Sequence, residues 1–221
     1  SPCDLPLSCY LRHFWYNKRA IAGYGSAFCD KERHIVTYVD DSYTRLWATW
    51  FVTKGPLASF PRPFLMAHDR AISTRYHSIG RYRSNENYCI FQYTLSGHGL
   101  VWNGQRSWEV SLNHGFLAIV NDPDSGYRYA PNSVEPWDML WIGFQGGNIK
   151  TMVQEMLDIY GPCYTLPAES NLIHRLLSFH TGEQTRLFID PLVGSELVFY
   201  LLTQLGATVT QPAPAHTRTQ L

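Results

Sequence analysis

Gln92 and Thr94 are polar residues within an apolar and aromatic run, YCIFQYTL, at positions 88–95. In an extended strand alternate side chains share a face, so Ile90, Gln92 and Thr94 point to one side and the intervening residues to the other. If that side is the interior of a barrel, the amide and the hydroxyl need a ligand or water as a hydrogen-bond partner. If it is the outer side, they face solvent. The pattern alone leaves both registers open.

Arginines precede this run at positions 75, 81 and 83. Their separations are even, so the side chains of Arg75, Arg81 and Arg83 would share one face of an uninterrupted strand. A guanidinium group donates paired hydrogen bonds to vicinal hydroxyls or to a carboxylate. The alternative for each arginine is an exposed position on an edge strand.

The sequence carries no signature of catalysis or of metal binding. The nine histidines are isolated without a His-x-His pair, and the five cysteines form no Cys-x-x-Cys pair. No Gly-x-Ser-x-Gly, P-loop or dinucleotide-binding fingerprint occurs. We therefore expect no metal, no cofactor and no catalytic residue, and the cysteines to be reduced thiols.

The composition limits the kinds of molecule that this chain is expected to bind. The 18 basic and 18 acidic residues among 221 cancel, which argues against DNA binding by this chain alone. Its 14 Tyr, 7 Trp and 11 Phe supply flat faces that pack cores and stack on sugar rings. Apolar runs stay short of the ~18 residues that cross a bilayer, so we expect a cytoplasmic protein without a membrane anchor.

Short apolar runs separated by Gly and Asn turns predict antiparallel strands over residues 71–147, arranged as a barrel or a sandwich. The pair Asn103-Gly104 predicts a hairpin, because both residues tolerate the positive φ of a type I′ turn. From about Asp41 to Gly55 the chain predicts a short helix, within an irregular segment that packs on the barrel.

After Gly147 the apolar period changes to about 3.6 and predicts helices over residues 148–161, 170–182 and 190–206. The apolar face of the third helix is too broad for one barrel to cover, which predicts a symmetric dimer through antiparallel helices. The dimerisation residues are Leu192, Leu197, Leu201 and Leu205. The expected organisation is an amino-terminal segment (1–70), a ligand-binding barrel (71–147), dimerisation helices (148–207) and a linker (208–221).

Three blocks in order resemble the amino-terminal effector-binding and dimerisation domain of the AraC/XylS family of bacterial transcription regulators. They are YCIFQYTLSGHGLVWNGQRSWEVSL, NHGFLAIVNDPDSGYRY and EPWDMLWIGFQG. The resemblance implies a mainly β fold with helices, in which a cupin-like double-stranded β-helix (jelly-roll barrel) precedes carboxy-terminal helices. It also implies that the chain binds DNA only through a carboxy-terminal domain that it lacks here.

The resemblance implies a small-molecule effector, a sugar or sugar derivative, held in the barrel of a homodimer. The effector-binding residues are then Arg81 or Arg83, Gln92, Thr94, Tyr129 and Trp141. Met139 stands where the arabinose sensor has a polar contact, which argues against an identical ligand, and Trp137 is expected to pack in the core. The alternatives are a metal-dependent cupin-like enzyme and a stand-alone carbohydrate-binding module.

Overall fold

The computed structural model describes residues 41–210, which form two β-sheets and three helices. The larger sheet has seven strands. In spatial order they are β10 (Cys163–Thr165), β7 (His114–Ile119), β4 (Cys89–Ser96), β9 (Trp137–Gln145), β2 (Arg62–Ala71), β1 (Tyr43–Thr53) and β11 (Gln184–Ile189). All of its pairings are antiparallel except that of β1 with β11.

The smaller sheet has four antiparallel strands. In spatial order they are β3 (His77–Ile79), β8 (Ser125–Tyr129), β5 (Gly99–Asn103) and β6 (Arg106–Val110). A 3-10 turn, Gly80–Tyr82, follows β3 directly. The two sheets face each other as in a cupin-like barrel, so the predicted fold class is confirmed.

Three helices follow the barrel strands: α1 (Ile149–Tyr160), α2 (Asn171–Leu177) and α3 (Pro191–Thr210). The Ser170 hydroxyl accepts a hydrogen bond from the Ile173 amide and caps α2. The Asp190 carboxylate accepts one from the Leu192 amide and caps α3. The periodicity therefore predicted all three helices, although α2 ends at Leu177 and not at the predicted Gly182, and β10 and β11 were not predicted.

The seven-stranded sheet is buried on both faces. Its outer face and the helices share one hydrophobic core cluster, which includes Phe91 and Ile142 of the sheet and Leu197 and Leu201 of α3. Its inner face looks towards the four-stranded sheet, since a Cβ atom on Gly99 of β5 would lie 2.3 Å from the ring of Trp137. We call the space between the two sheets the barrel interior.

The helix predicted from Asp41 to Gly55 is wrong. Residues 43–53 form β1, which pairs with β2 on one side and β11 on the other. Its sequence, YTRLWATWFVT, is rich in aromatic and β-branched residues that favour strands. Most of residues 43–70 thus belong to two regular strands of the sheet, β1 and β2, joined by a loop over residues 54–61, while residues 1–40 lie outside the described residues.

The predicted hairpin at Asn103-Gly104 is present, but its turn residues and turn type differ from the prediction. Asn103 is the last paired residue of β5 and faces Arg106, so the two-residue loop is Gly104-Gln105. Gly104 has φ +61°, and Asn103 is not among the described residues with positive φ. Positive φ at the first loop position alone is the pattern of a type II′ turn.

Helix α3 is long and apolar. By length and composition its segment Pro191–Val209 could cross a membrane. In the fold, Leu197, Val198 and Leu201 are at most 1% exposed and belong to the core cluster. The helix also extends past the predicted end at Gly206 to Thr210, and the predicted linker from residue 211 onwards lies outside the described residues.

Candidate functional site

The pairing of β4 with β9 decides which side of the predicted run faces inward. Gln92 lies opposite Trp141, and Thr94 lies opposite Met139. Residues directly opposite on neighbouring strands share a face, so Gln92 and Thr94 point into the barrel interior. Both side chains are 1% exposed. The alternative, in which they face solvent, is therefore wrong, and the other side of β4 is also buried, because Cys89, Phe91 and Tyr93 belong to the core cluster.

A buried ion pair lies beside this position. Arg45 of β1 binds Asp69 of β2 through two hydrogen bonds, Nε to Oδ1 at 2.8 Å and Nη2 to Oδ2 at 2.9 Å. The indole Nε1 of Trp141 donates to the same Oδ2 at 2.8 Å. The guanidinium carbon of Arg45 also lies 5.5 Å from the Trp141 ring centroid. The carboxylate of Asp69 thus fixes both the guanidinium and the indole.

Burial shapes the electrostatics of this pair. The Asp69 side chain is 1% exposed and that of Arg45 is 14% exposed. Desolvation acts to lower the pKa of Arg45, but the hydrogen bonds and charge of Asp69 outweigh it and raise the pKa above its ordinary value. The Arg45 guanidinium therefore stays charged in the folded protein.

Sequence reasoning missed Arg45 and Asp69. Because residues 41–55 were interpreted as a helix, Arg45 was not considered as part of the barrel. The sequence does contain a feature that could have identified them. Each is a charged residue inside a run of strand-forming residues, YTRLWATWFVT for Arg45 and RPFLMAHDRA for Asp69. Charged residues in such runs are rarely buried unless they are paired.

Arg83 occupies a second buried cluster. Its Nε and Nη2 atoms bind the two carboxylate oxygens of Glu86 at 2.8 and 2.6 Å. Nη2 also donates to the hydroxyl of Tyr88, and Nη1 donates to the hydroxyl of Ser78, both at 2.5 Å. Tyr88 in turn donates to Glu86 at 2.7 Å. The predicted arginine is thus buried, but its partners are residues of its own chain.

Arg75, Arg81 and Arg83 do not share a face. The strand β3 ends at Ile79 and the 3-10 turn begins at Gly80, where a Cβ atom would lie 1.8 Å from the carbonyl oxygen of Asp122. The turn breaks the alternation, leaving Arg75 and Arg81 exposed while Arg83 is 6% exposed. The expectation that Arg81 lines the interior is therefore corrected.

The side-chain amide of Gln92 lacks a strong hydrogen-bond partner. Its Nε2 atom lies 2.9 Å from Sδ of Met139, and the amide has no other hydrogen bond within residues 41–210. A thioether is a weak acceptor, so a buried amide with this partner leaves most of its hydrogen-bonding capacity unused.

Thr94, Tyr129 and Trp137 differ from Gln92, because the protein itself satisfies their polar atoms. The Thr94 hydroxyl accepts from Trp137 Nε1 at 3.0 Å and donates to the carbonyl oxygen of Val110 at 3.2 Å. The Tyr129 hydroxyl lies 3.1 and 2.8 Å from the carbonyl oxygens of Ser133 and Glu135. Trp137 is fully buried, which confirms its predicted packing role.

Two further tyrosines lie in the barrel interior. The ring of Tyr127 lies 5.2 Å from Phe116, the β7 residue opposite Gln92, and 6.3 Å from Tyr76. Tyr76 is 8% and Tyr127 9% exposed. Burial raises the pKa of Tyr76 well above its ordinary value. Neither hydroxyl has a hydrogen-bond partner among the described residues.

Of the four leucines of α3 predicted to form a dimer interface, three are buried and one is exposed. Leu197, Leu201 and Leu205 are at most 1% exposed because the chain's own sheet and helices cover them. Leu192 is 56% exposed, and Phe199 lies seven residues later with 37% exposure. The exposed apolar residues of α3 therefore include Leu192 and Phe199 but not Leu197, Leu201 or Leu205.

Residues 41–210 contain no group of three or more His, Cys, Asp or Glu side chains positioned to hold a metal ion. The free thiols of Cys89 and Cys163 are both shielded, and burial raises each pKa to about 12. At neutral pH these thiols are protonated and unreactive.

A barrel with a largely buried polar interior, followed by helices, defines a ligand-binding domain. The family model for the AraC-like ligand binding domain matches residues 69–202, and this chain belongs to that family. Domains of this family are regulatory parts of transcription regulators and not catalytic, so the chain has a ligand-sensing, regulatory role.

Solved structures are similar at low identity. The AraC-like transcriptional activator CuxR shares 12% identity at a TM-score of 0.43, over 74% of this chain and 56% of CuxR. ToxT from Vibrio cholerae shares 12% identity at a TM-score of 0.37, over 76% of this chain and 57% of ToxT. The matched region thus spans little more than half of either regulator. A comparison with curated proteins finds no match.

Proposed function

We propose that this domain senses a sugar or sugar derivative in the barrel interior. The observation that carries the proposal is the Gln92 amide, which is 1% exposed and has only the thioether of Met139 as a partner. A buried amide normally has stronger partners. A ligand hydroxyl can replace the sulfur atom, accepting from Nε2 and donating to Oε1.

The Trp141 indole supplies the apolar wall. It lies opposite Gln92 on the neighbouring strand, and its hydrogen bond to Asp69 holds the ring in one orientation. The C–H face of a sugar packs on a flat aromatic surface while its hydroxyls bond to polar groups. We propose that Trp141 stacks on the sugar ring and that Gln92 forms hydrogen bonds with a sugar hydroxyl.

The remaining predicted site residues have supporting roles in this proposal. Thr94 and Tyr129 shape the interior, because their hydroxyls already bond to the protein. Arg83 holds the loop that leads into β4 through Glu86 and Tyr88. Arg81 lies in solvent and takes no part.

We also propose that the regulator works as a cytoplasmic homodimer and reaches DNA through a carboxy-terminal domain. Exposed apolar residues on α3, among them Leu192 and Phe199, provide the dimer surface. Effector binding then shifts an equilibrium between two arrangements of the domains by its differential affinity for them.

A thermal-shift screen of the chain against pentoses, hexoses and uronic acids tests the sugar proposal, because a ligand that binds only the folded state raises the melting temperature. Calorimetry with the stabilising sugar then compares Gln92→Leu with the exposed control Arg81→Gln. Losing the amide should weaken binding by about 1–3 kcal/mol, roughly 5- to 150-fold, with the control unchanged. A screen in which no sugar stabilises the protein contradicts the proposal, as does parental affinity in Gln92→Leu.

A further inference from the structure

We infer that the effector of this domain is uncharged and that Gln92, Tyr76 and Tyr127 recognise it through neutral hydrogen bonds. The inference rests on the proposed function, since it specifies the chemical class of ligand for the same barrel interior. Its basis is the division of the interior's polar groups into two paired charged clusters and a set of unpaired neutral groups.

The first charged cluster is an internally paired one, held by the Nε and Nη2 atoms of Arg45 and the carboxylate of Asp69. Both nitrogen atoms that Arg45 directs at Asp69 lie within 2.9 Å of a carboxylate oxygen, and the second oxygen also accepts from Trp141. Opposite charges at this distance cancel, so the cluster presents no net charge to a ligand. The guanidinium faces the Trp141 ring, which further shields it.

The second charged cluster is also paired internally. Arg83 donates hydrogen bonds through four of its N–H groups to Glu86, Tyr88 and Ser78. Arginine has five N–H donors in total, so one remains. The Glu86 carboxylate also accepts from the Tyr88 hydroxyl, so both of its oxygens and four of the five N–H groups of Arg83 have partners within the protein.

A carboxylate or phosphate ligand that took over the paired hydrogen bonds of either guanidinium would have to displace Asp69 or Glu86, because these carboxylates accept from Nε and Nη2 of Arg45 and of Arg83. The displaced carboxylate is 1% exposed in Asp69 and 14% exposed in Glu86. Leaving a buried charge without its partner is strongly unfavourable. If instead both carboxylates stayed in place, an anion would meet two acids in a water-poor space. Either route disfavours an anionic effector.

The neutral groups have the opposite property, since they gain partners when a ligand enters. The Gln92 amide contacts Met139, and the hydroxyls of Tyr76 and Tyr127 have no hydrogen-bond partner in the described part of the chain. A series of side-chain neighbours links the three residues, because Phe116 lies opposite Gln92 and packs on Tyr127, which packs on Tyr76. Amides and phenols donate and accept without net charge, and so do the hydroxyls of a neutral sugar.

Matched pairs of ligands that differ in one carboxylate test this inference. We would measure binding of D-glucose and D-glucuronate, D-galactose and D-galacturonate, and D-mannose and D-mannuronate to the whole chain by calorimetry near neutral pH. Within the pair that binds, the neutral member should bind at least about tenfold more tightly. The variant Asp69→Asn leaves Arg45 without its carboxylate and should reduce or reverse that preference.

Glu86→Gln is a second variant, which releases Arg83 in case Asp69→Asn does not fold. Tighter binding of a uronate than of its neutral partner by the parent chain would overturn the inference and leave a sugar-sensing function in place. Unchanged preference in folded Asp69→Asn and Glu86→Gln proteins would also overturn it. Binding of no member of any pair would contradict the sugar proposal itself, and the inference would fall with it.

Discussion

Arg45 and Asp69 form an ion pair across neighbouring strands β1 and β2, with Nε 2.8 Å from Oδ1 and Nη2 2.9 Å from Oδ2. The pair lies on the inner face of the seven-stranded sheet, where Trp141 of β9 shares the same carboxylate. Three strands are thereby joined by one acidic side chain. The interior of the barrel is consequently a paired polar network and not a purely apolar core.

Replacing Arg45 by Met should destabilise the domain by about 3–5 kcal/mol, because it leaves the Asp69 charge buried without a partner. Urea denaturation near neutral pH measures the change in unfolding free energy. The double variant Arg45→Met, Asp69→Leu should recover much of the loss, since it removes both charges. A single variant that loses less than about 1 kcal/mol would show that the pair adds little to stability.

Arg83 and Arg81 should respond very differently to the same substitution. Arg83→Met removes the partner of Glu86 and four hydrogen bonds from a buried cluster, so we expect a loss of about 3–5 kcal/mol in unfolding free energy. Arg81→Met changes an exposed side chain and should stay within about 0.5 kcal/mol of the parent. Equal effects of the two substitutions, measured by urea denaturation, would contradict the structural role of Arg83.

Substitutions on α3 should separate assembly from folding. Leu192→Glu combined with Phe199→Glu places charges on an exposed apolar side, so light scattering should report monomers that keep the parental circular dichroism spectrum. Leu201→Glu places a charge at a fully buried position and should abolish the folded state. A folded Leu192→Glu, Phe199→Glu protein that still runs as a dimer would show that another surface carries the assembly.

His68 should make stability depend on pH. Its Nε2 atom lies 3.9 Å from Oδ1 of Asp138, and the Trp47 ring packs edge-on against the imidazole. Burial lowers the pKa of His68 below its ordinary value of 6.5, although Asp138 and Asp69 oppose the change and Arg70 and His180 support it. The folded protein therefore binds the proton more weakly than the unfolded chain does.

The stabilisation from neutral His68 is complete above pH 6.5 and is lost as pH falls through the folded-state pKa below that value. Unfolding free energy, measured by urea denaturation between about pH 5 and pH 8, should thus fall more steeply on acidification in the parent than in His68→Gln. Parallel pH profiles for the two proteins would mean that His68 does not titrate differently on folding.

The sequence by itself determined the types of most elements. Alternation in YCIFQYTL and the apolar period of the segment after Gly147 depend on neighbours within a few residues, and local chain geometry fixes those relations. The same local signals misassigned residues 43–53, because that run is buried by strands distant in sequence. Tertiary contacts override weak local preferences.

The tertiary structure decided which groups meet. Alternation separated Gln92 from Phe91, but both faces of this sheet are covered, one by helices and one by the second sheet, so polarity alone could not assign the inward side. The sequence likewise did not show which charged side chains form ion pairs. Arg45 finds its partner 24 residues away on the next strand, whereas Arg83 finds one three residues away across a turn. Spacing in the sequence identifies charged side chains, but the distances that pair them follow from how the strands register and how the chain turns between them.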